Sequence, residues 1–164
     1  MGIKVIFLDI DGVLNTWYTK TETSYGSTFV DDRKIRILKE IINRTNAKVV
    51  LSSTWRIGWE HIERGHRDTW AANDFMELRN KLFEYGIELY DKTPMLDKYG
   101  RCRGEEIDAW LHNPLHENVD GYVIIDDLSG KWLRPCSSHL LQTSEMKGLE
   151  EKHIKVAERI MEMK

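Results

Sequence analysis

The stretch Lys4-Val5-Ile6-Phe7-Leu8-Asp9-Ile10-Asp11-Gly12-Val13-Leu14-Asn15 decides how this chain is read. Its first five residues form an apolar run of strand length that stops at an Asp. Lys48-Val49-Val50-Leu51 repeats the pattern and stops at Ser52-Ser53. Gly121-Tyr122-Val123-Ile124-Ile125 does so again and stops at Asp126-Asp127. Runs that are apolar throughout, without alternation, suit strands buried on both faces of a parallel sheet. Helical patterns lie between them. Asp31 or Asp32 can cap a helix with Ile35, Leu38, Ile41 and Ile42 on one side. Residues 73–85 carry Phe75, Leu78 and Leu82 at helical spacing, with Gly86 as a stop. A weaker strand follows over residues 87–90, then a helix over 104–112, a last strand over 140–143 and a last helix over 149–163. This alternation predicts a three-layer α/β fold around a central, mostly parallel sheet. The polar punctuation falls at the carboxyl ends of three strands, the edge where such sheets bind ligands.

With 164 residues, the chain is read as a single domain over residues 1–164. No window approaches the roughly 20 apolar residues of a membrane span, so no membrane partner is expected. The two cysteines, Cys102 and Cys136, show no CxxC spacing, which suits a reducing, cytoplasmic setting rather than a disulfide framework. A net charge of -3 leaves nucleic-acid contact to a local patch.

Asp9 and Asp11 stand two apart at a strand end, so an extended chain would point both carboxylates into one space. Asp126 and Asp127 reach the same edge if their strand lies beside the first. Carboxylates gathered this closely repel one another unless a cation joins them, and Mg²⁺ is the usual hard, oxygen-preferring choice. A calcium loop would need further oxygen ligands and a Glu at its end, which residues 16–20 do not provide. Mg²⁺ beside a free carboxylate points to phosphoryl chemistry, with Asp9 attacking phosphorus and Asp11 serving as acid, then base. Ser52 can donate to a phosphate oxygen, and Arg103 or Arg101 can offset transition-state charge.

Asp9-x-Asp11-Gly12-Val13-Leu14 after an apolar strand resembles the first motif of the haloacid dehalogenase (HAD) superfamily. Val50-Leu51-Ser52 is similar to its second, and Ile124-Ile125-Asp126-Asp127 to its fourth. The resemblance covers residues 3 to about 149. It implies that Asp9 is nucleophile and metal ligand, and that Asp11 is general acid/base with its backbone carbonyl on the metal. It also implies that Ser52 binds phosphate, with Asp126 and Asp127 completing the metal site. Ser52-Ser53-Thr54-Trp55-Arg56 and Arg103-Gly104-Glu105-Glu106-Ile107 with Trp110-Leu111 resemble the small HAD domains associated with RNA-repair proteins. Those in turn look like the phosphatase half of polynucleotide kinase-phosphatases. Gly12, Ser53 and Arg56 are accordingly expected at the substrate, and a kinase or ligase is a candidate partner. The superfamily's third motif usually supplies a lysine. Arg103 holds the closest position here, with Lys98 as the fallback.

Neither stretch where relatives insert a cap, residues 16–30 and 57–72, is long enough for a sizeable one. An open site favours an RNA or DNA end, or a nucleotide, with Arg56, Arg64, Arg67, Trp59 and Trp70 lining the approach. Tryptophans otherwise read as packing residues, Trp110 on its apolar helix face above all. Sugar-phosphate hydrolysis, a receiver-type signalling domain and a non-catalytic phosphate-binding module are the competing readings. The receiver reading needs its acceptor Asp after the third strand and a Lys after the fifth. Here the second acidic pair follows the fourth strand and the first carries Asp11-Gly12-Val13-Leu14, an order that disfavours it.

Overall fold

In the computed structural model, which describes residues 1–163, the three apolar runs are adjacent strands. β1 (Ile3–Leu8) lies at the centre, between β2 (Lys48–Leu51) and β4 (Val119–Asp126). β3 (Leu89–Lys92) and β5 (Leu140–Gln142) form the edges. All four pairings are parallel, so successive strands must be joined by crossovers. The helices α1 (Asp32–Thr45), α2 (Arg56–Glu63), α3 (Trp70–Glu84), α4 (Arg103–Leu111) and α5 (His153–Met161) provide the regular part of these returns and the closing element.

The pleat of β1 splits the core into two layers. Ile6 and Leu8 meet Leu38 and Ile41 of α1, Phe75 and Leu82 of α3, and Ala157 and Met161 of α5. Val5 and Phe7 meet Ile107 and Trp110 of α4 together with Leu133. The Phe7 and Trp110 rings pack edge to face at 5.5 Å. Full burial of one such aliphatic or aromatic side chain contributes about 1.5–3 kcal/mol, which is why these two layers dominate the stability. The result is a three-layer, Rossmann-like sheet with no large cap.

Boundaries follow local chemistry. The Asp31 side chain accepts from the Arg33 N–H and starts α1. The strand expected at 87–90 begins at Leu89 instead, because the Ile87 N–H turns back to the Leu82 carbonyl and closes α3. Residues 57–72, read as too short for a sizeable cap, hold most of α2 and the start of α3. These helices touch backbone to backbone: a Cβ on Gly58 would sit 2.0 Å from the Ala71 carbonyl oxygen. Residues 16–30 form a strap with one antiparallel bridge, Glu22 to Thr28. The strap is tied to α3 where Ser24 donates to Glu77 and Ser27 donates to Asp74.

Arg56 corrects the sequence reading. Expected along the substrate approach, it has no exposed surface and pairs with the equally buried Glu106 at 2.7 Å. The other Glu106 oxygen accepts from the Leu96 N–H at 2.8 Å. One carboxylate therefore ties the turn after β2 to the loop before α4 and to α4 itself. Burial draws the guanidinium below its usual pKa, and Glu106 pushes back. Removing one partner of such a buried pair strands the other's charge. Glu106→Gln is expected to lower unfolding stability by about 3–5 kcal/mol in urea titration, while Arg56→Met combined with Glu106→Leu recovers most of it.

Candidate active site

Register places the polar strand ends side by side. Leu8 pairs with Leu51 on one flank and with Ile125 on the other. The next residues continue the ladder, as the Asp9 N–H donates to the Ile125 carbonyl at 3.0 Å and the Ser52 N–H to the Leu8 carbonyl at 2.8 Å. Asp9, Ser52 and Asp126 consequently leave the sheet together.

Carboxylate oxygens of Asp9, Asp126 and Asp127 lie within 4.8 Å of one another. Burial, then Asp126, raises the Asp9 carboxyl well above the usual range, with Arg103 partly offsetting. Burial and Asp126 likewise push Asp127 up to about 6. Three acids in this space hold more negative charge than their surroundings balance. An all-oxygen, acidic donor set of this kind fits a hard divalent cation.

Arg103, the first residue of α4, supplies the local positive charge. Its Nη1 donates to Asp126 Oδ2 at 2.6 Å and to the Ser52 carbonyl at 2.8 Å, and lies 3.5 Å from Asp9 Oδ1. The alternatives face elsewhere. Arg101 pairs with Asp97 at the surface, and Lys98 lies over the Tyr99 ring. Ser52 is fully buried, and its Oγ has no hydrogen-bond partner among the described residues. Ser53 Oγ accepts from the Trp55 N–H, an internal turn contact.

Gly12 is fixed by two demands. Its φ is +81°, and a Cβ there would meet Asp127 Oδ2 at 2.2 Å. Its N–H donates to Asn15 Oδ1, and its carbonyl accepts from Thr143 Oγ1, which anchors this turn to the end of β5.

Because the chain turns at 11–14 rather than staying extended, the Asp11 side chain leaves the trio. Asn15 Nδ2 donates to its Oδ1 at 2.9 Å and Trp55 Nε1 to its Oδ2 at 3.1 Å. Asp11 also lines a cleft of about 510 Å³ whose walls include Trp55, His61, Trp70, Asp74 and Ser27. Of the other approach residues, Arg64 and Arg67 are exposed beyond α2, and Trp59 stacks on Phe75. Sequence reasoning quotes Asn15 and Trp55 within its motifs without giving either a role, and passes over Asp74. Asn15 closes the opening motif, but its contact with Asp11 exists only in the folded turn.

A parallel sheet ending in this acid cluster, with the buried Arg103 at the head of the helix before β4, fits the HAD resemblance read from the sequence. The chain belongs to the family described as HAD domain in Swiss Army Knife RNA repair proteins, which matches residues 5–154. No curated protein matches it. Membership points to a phosphatase-type hydrolase, and among the described residues no helix is long and apolar enough to cross a membrane. Gly12→Ala combines left-handed backbone strain with a collision on Asp127, and should cost about 1–3 kcal/mol of unfolding free energy in a denaturant titration.

Proposed function

We propose that this domain is a Mg²⁺-dependent phosphomonoesterase acting through an aspartyl-phosphate on Asp9, with a nucleic-acid end or a nucleotide as substrate. The observation that carries the proposal is the convergence of Asp9, Asp126, Asp127 and Arg103 beside a Ser52 hydroxyl that has no partner among the described residues. Asp9, Asp126 and Asp127, joined by the Asp11 backbone carbonyl, are the residues to hold the ion. When bound, Mg²⁺ neutralises phosphate oxygens and the excess charge of the carboxylates.

The residues divide the remaining work. An Asp9 carboxylate oxygen attacks phosphorus while the bond to the leaving oxygen breaks. Asp11, oriented by Asn15 and Trp55, gives its proton to that oxygen. It then takes a proton from the water that attacks the phosphorus of the aspartyl-phosphate, and phosphate leaves with Asp9 restored. Ser52 Oγ, buried at this edge and without a partner among the described residues, is the hydroxyl to donate to a phosphate oxygen. Arg103 is already bound to Asp126 and close to Asp9, so it stabilises charge at the reacting edge without moving far. Family membership and the absence of a large cap favour a macromolecular end over a sugar phosphate. Dephosphorylation leaves a hydroxyl end, a suitable substrate for a neighbouring ligase or kinase.

Phosphate release with Mg²⁺ from 3′- and 5′-phosphorylated oligonucleotides, free nucleotides and sugar phosphates tests the reading. Asp9→Asn should abolish release, and Asp11→Asn should lower it about 10²–10⁴-fold. Equal release by wild type and Asp9→Asn would remove Asp9 from the chemistry. Faster release from sugar phosphates than from oligonucleotides would refute the end-processing part.

A further inference from the structure

The cleft that Asp11 lines holds none of the Asp9, Asp126 and Asp127 cluster, yet it is a formed recess of about 510 Å³. It is walled by α2, the head of α3 and the strap, and two of its side chains are indoles, Trp55 and Trp70. Trp70 opens α3 and is 64% exposed, so core packing does not account for it. Asp74 is only 4% exposed. Its Oδ2 accepts from Ser27 Oγ at 2.5 Å, while its Oδ1 has no partner among the described residues. A buried carboxylate oxygen with no donor is uncommon, because desolvation without a replacement hydrogen bond is costly. Aromatic faces beside a lone acceptor suit a flat heterocycle that carries an N–H donor on its edge.

Position adds to this. If Asp11 is the acid of the proposed reaction, it must face the leaving oxygen, and the group attached to that oxygen lies on the Asp11 side of the phosphate. Trp55 links the two regions, since its Nε1 holds Asp11 while the residue lines the cleft.

We infer that this cleft is the nucleobase subsite for the leaving nucleoside, stacking the base on Trp55 and Trp70 and reading an exocyclic amino group through the free Asp74 oxygen. The assignment rests on the phosphomonoesterase reading for its orientation. Adenine and cytosine present an amino donor there. Uracil presents one ring N–H flanked by two carbonyl oxygens, which a carboxylate repels. Sugar phosphates lack the flat face that indoles bind.

Calorimetric titration of the Asp9→Asn protein, with Mg²⁺ present, decides the matter. The probes are adenosine, cytidine and uridine 3′- and 5′-monophosphates, set beside ribose 5-phosphate. At least one adenosine or cytidine nucleotide should bind about tenfold more tightly than ribose phosphate, the gain expected of one stacked base. Adding Trp70→Ala, a surface change that spares the core, should erase that gain. Adding Asp74→Asn should bring cytidine and uridine nucleotides to similar affinity. Equal binding of nucleotides and ribose phosphate, or a base preference that survives both substitutions, would overturn the inference. Phosphate release from p-nitrophenyl phosphate by the wild-type protein reports on the phosphatase reading separately. Release without base preference sinks only the subsite. Base preference without release leaves the subsite standing as a binding site and sinks the reaction.

Discussion

The arrangement of this protein turns on one electrostatic constraint: three carboxylates share the carboxyl edge of a sheet with one guanidinium. At an effective dielectric of about 20, two unit charges 4 Å apart interact by roughly 4 kcal/mol. Arg103 therefore cancels part of the mutual repulsion of Asp9, Asp126 and Asp127, and burial, followed by the repulsion that is left, raises the Asp9 and Asp127 carboxyls. Neighbouring features keep this charged edge in place. Parallel register aligns β1 with β2 and β4, Gly12 makes room for Asp127, and Thr143 fastens the intervening turn.

Arg103 itself is held from behind. Glu106, one turn further along α4, is locked to Arg56 and to the Leu96 N–H. The buried ion pair thus serves less as a source of net stability than as a fixed point for the helix that delivers Arg103. Buried pairs are weak stabilisers in general, and a registry role is their best-attested use.

Much of this was legible in the sequence because β1, β2 and β4 are buried on both faces and read as uninterrupted apolar runs. Their polar ends were equally plain, which is how Asp9, Ser52, Asp126 and Asp127 came to be grouped. Helix α2 was obscured because its buried face is Arg56 and Gly58 rather than aliphatic residues, and no side chain caps its start. Arg56 was misplaced for the same reason: a charged residue suggests solvent, and nothing near it in the chain announces Glu106. The Asp11 side chain was grouped with the acid cluster on the assumption of an extended chain, whereas the backbone turns there and hands it to Asn15 and Trp55. Asp74 was invisible because its meaning lies in a missing partner, which only packing reveals.

The central claim, that Asp9 accepts the phosphoryl group, is tested most directly by trapping it. The wild-type protein would be mixed with Mg²⁺ and an excess of a phosphorylated substrate that it turns over, then quenched in acid within milliseconds and analysed by intact-mass spectrometry. A fraction of the protein should carry one added phosphoryl group, and borohydride reduction should convert residue 9 to homoserine. Asp9→Asn should show neither change. A phosphoryl group mapped to any other residue, or turnover with no trapped adduct and no reduction at position 9, would contradict the account.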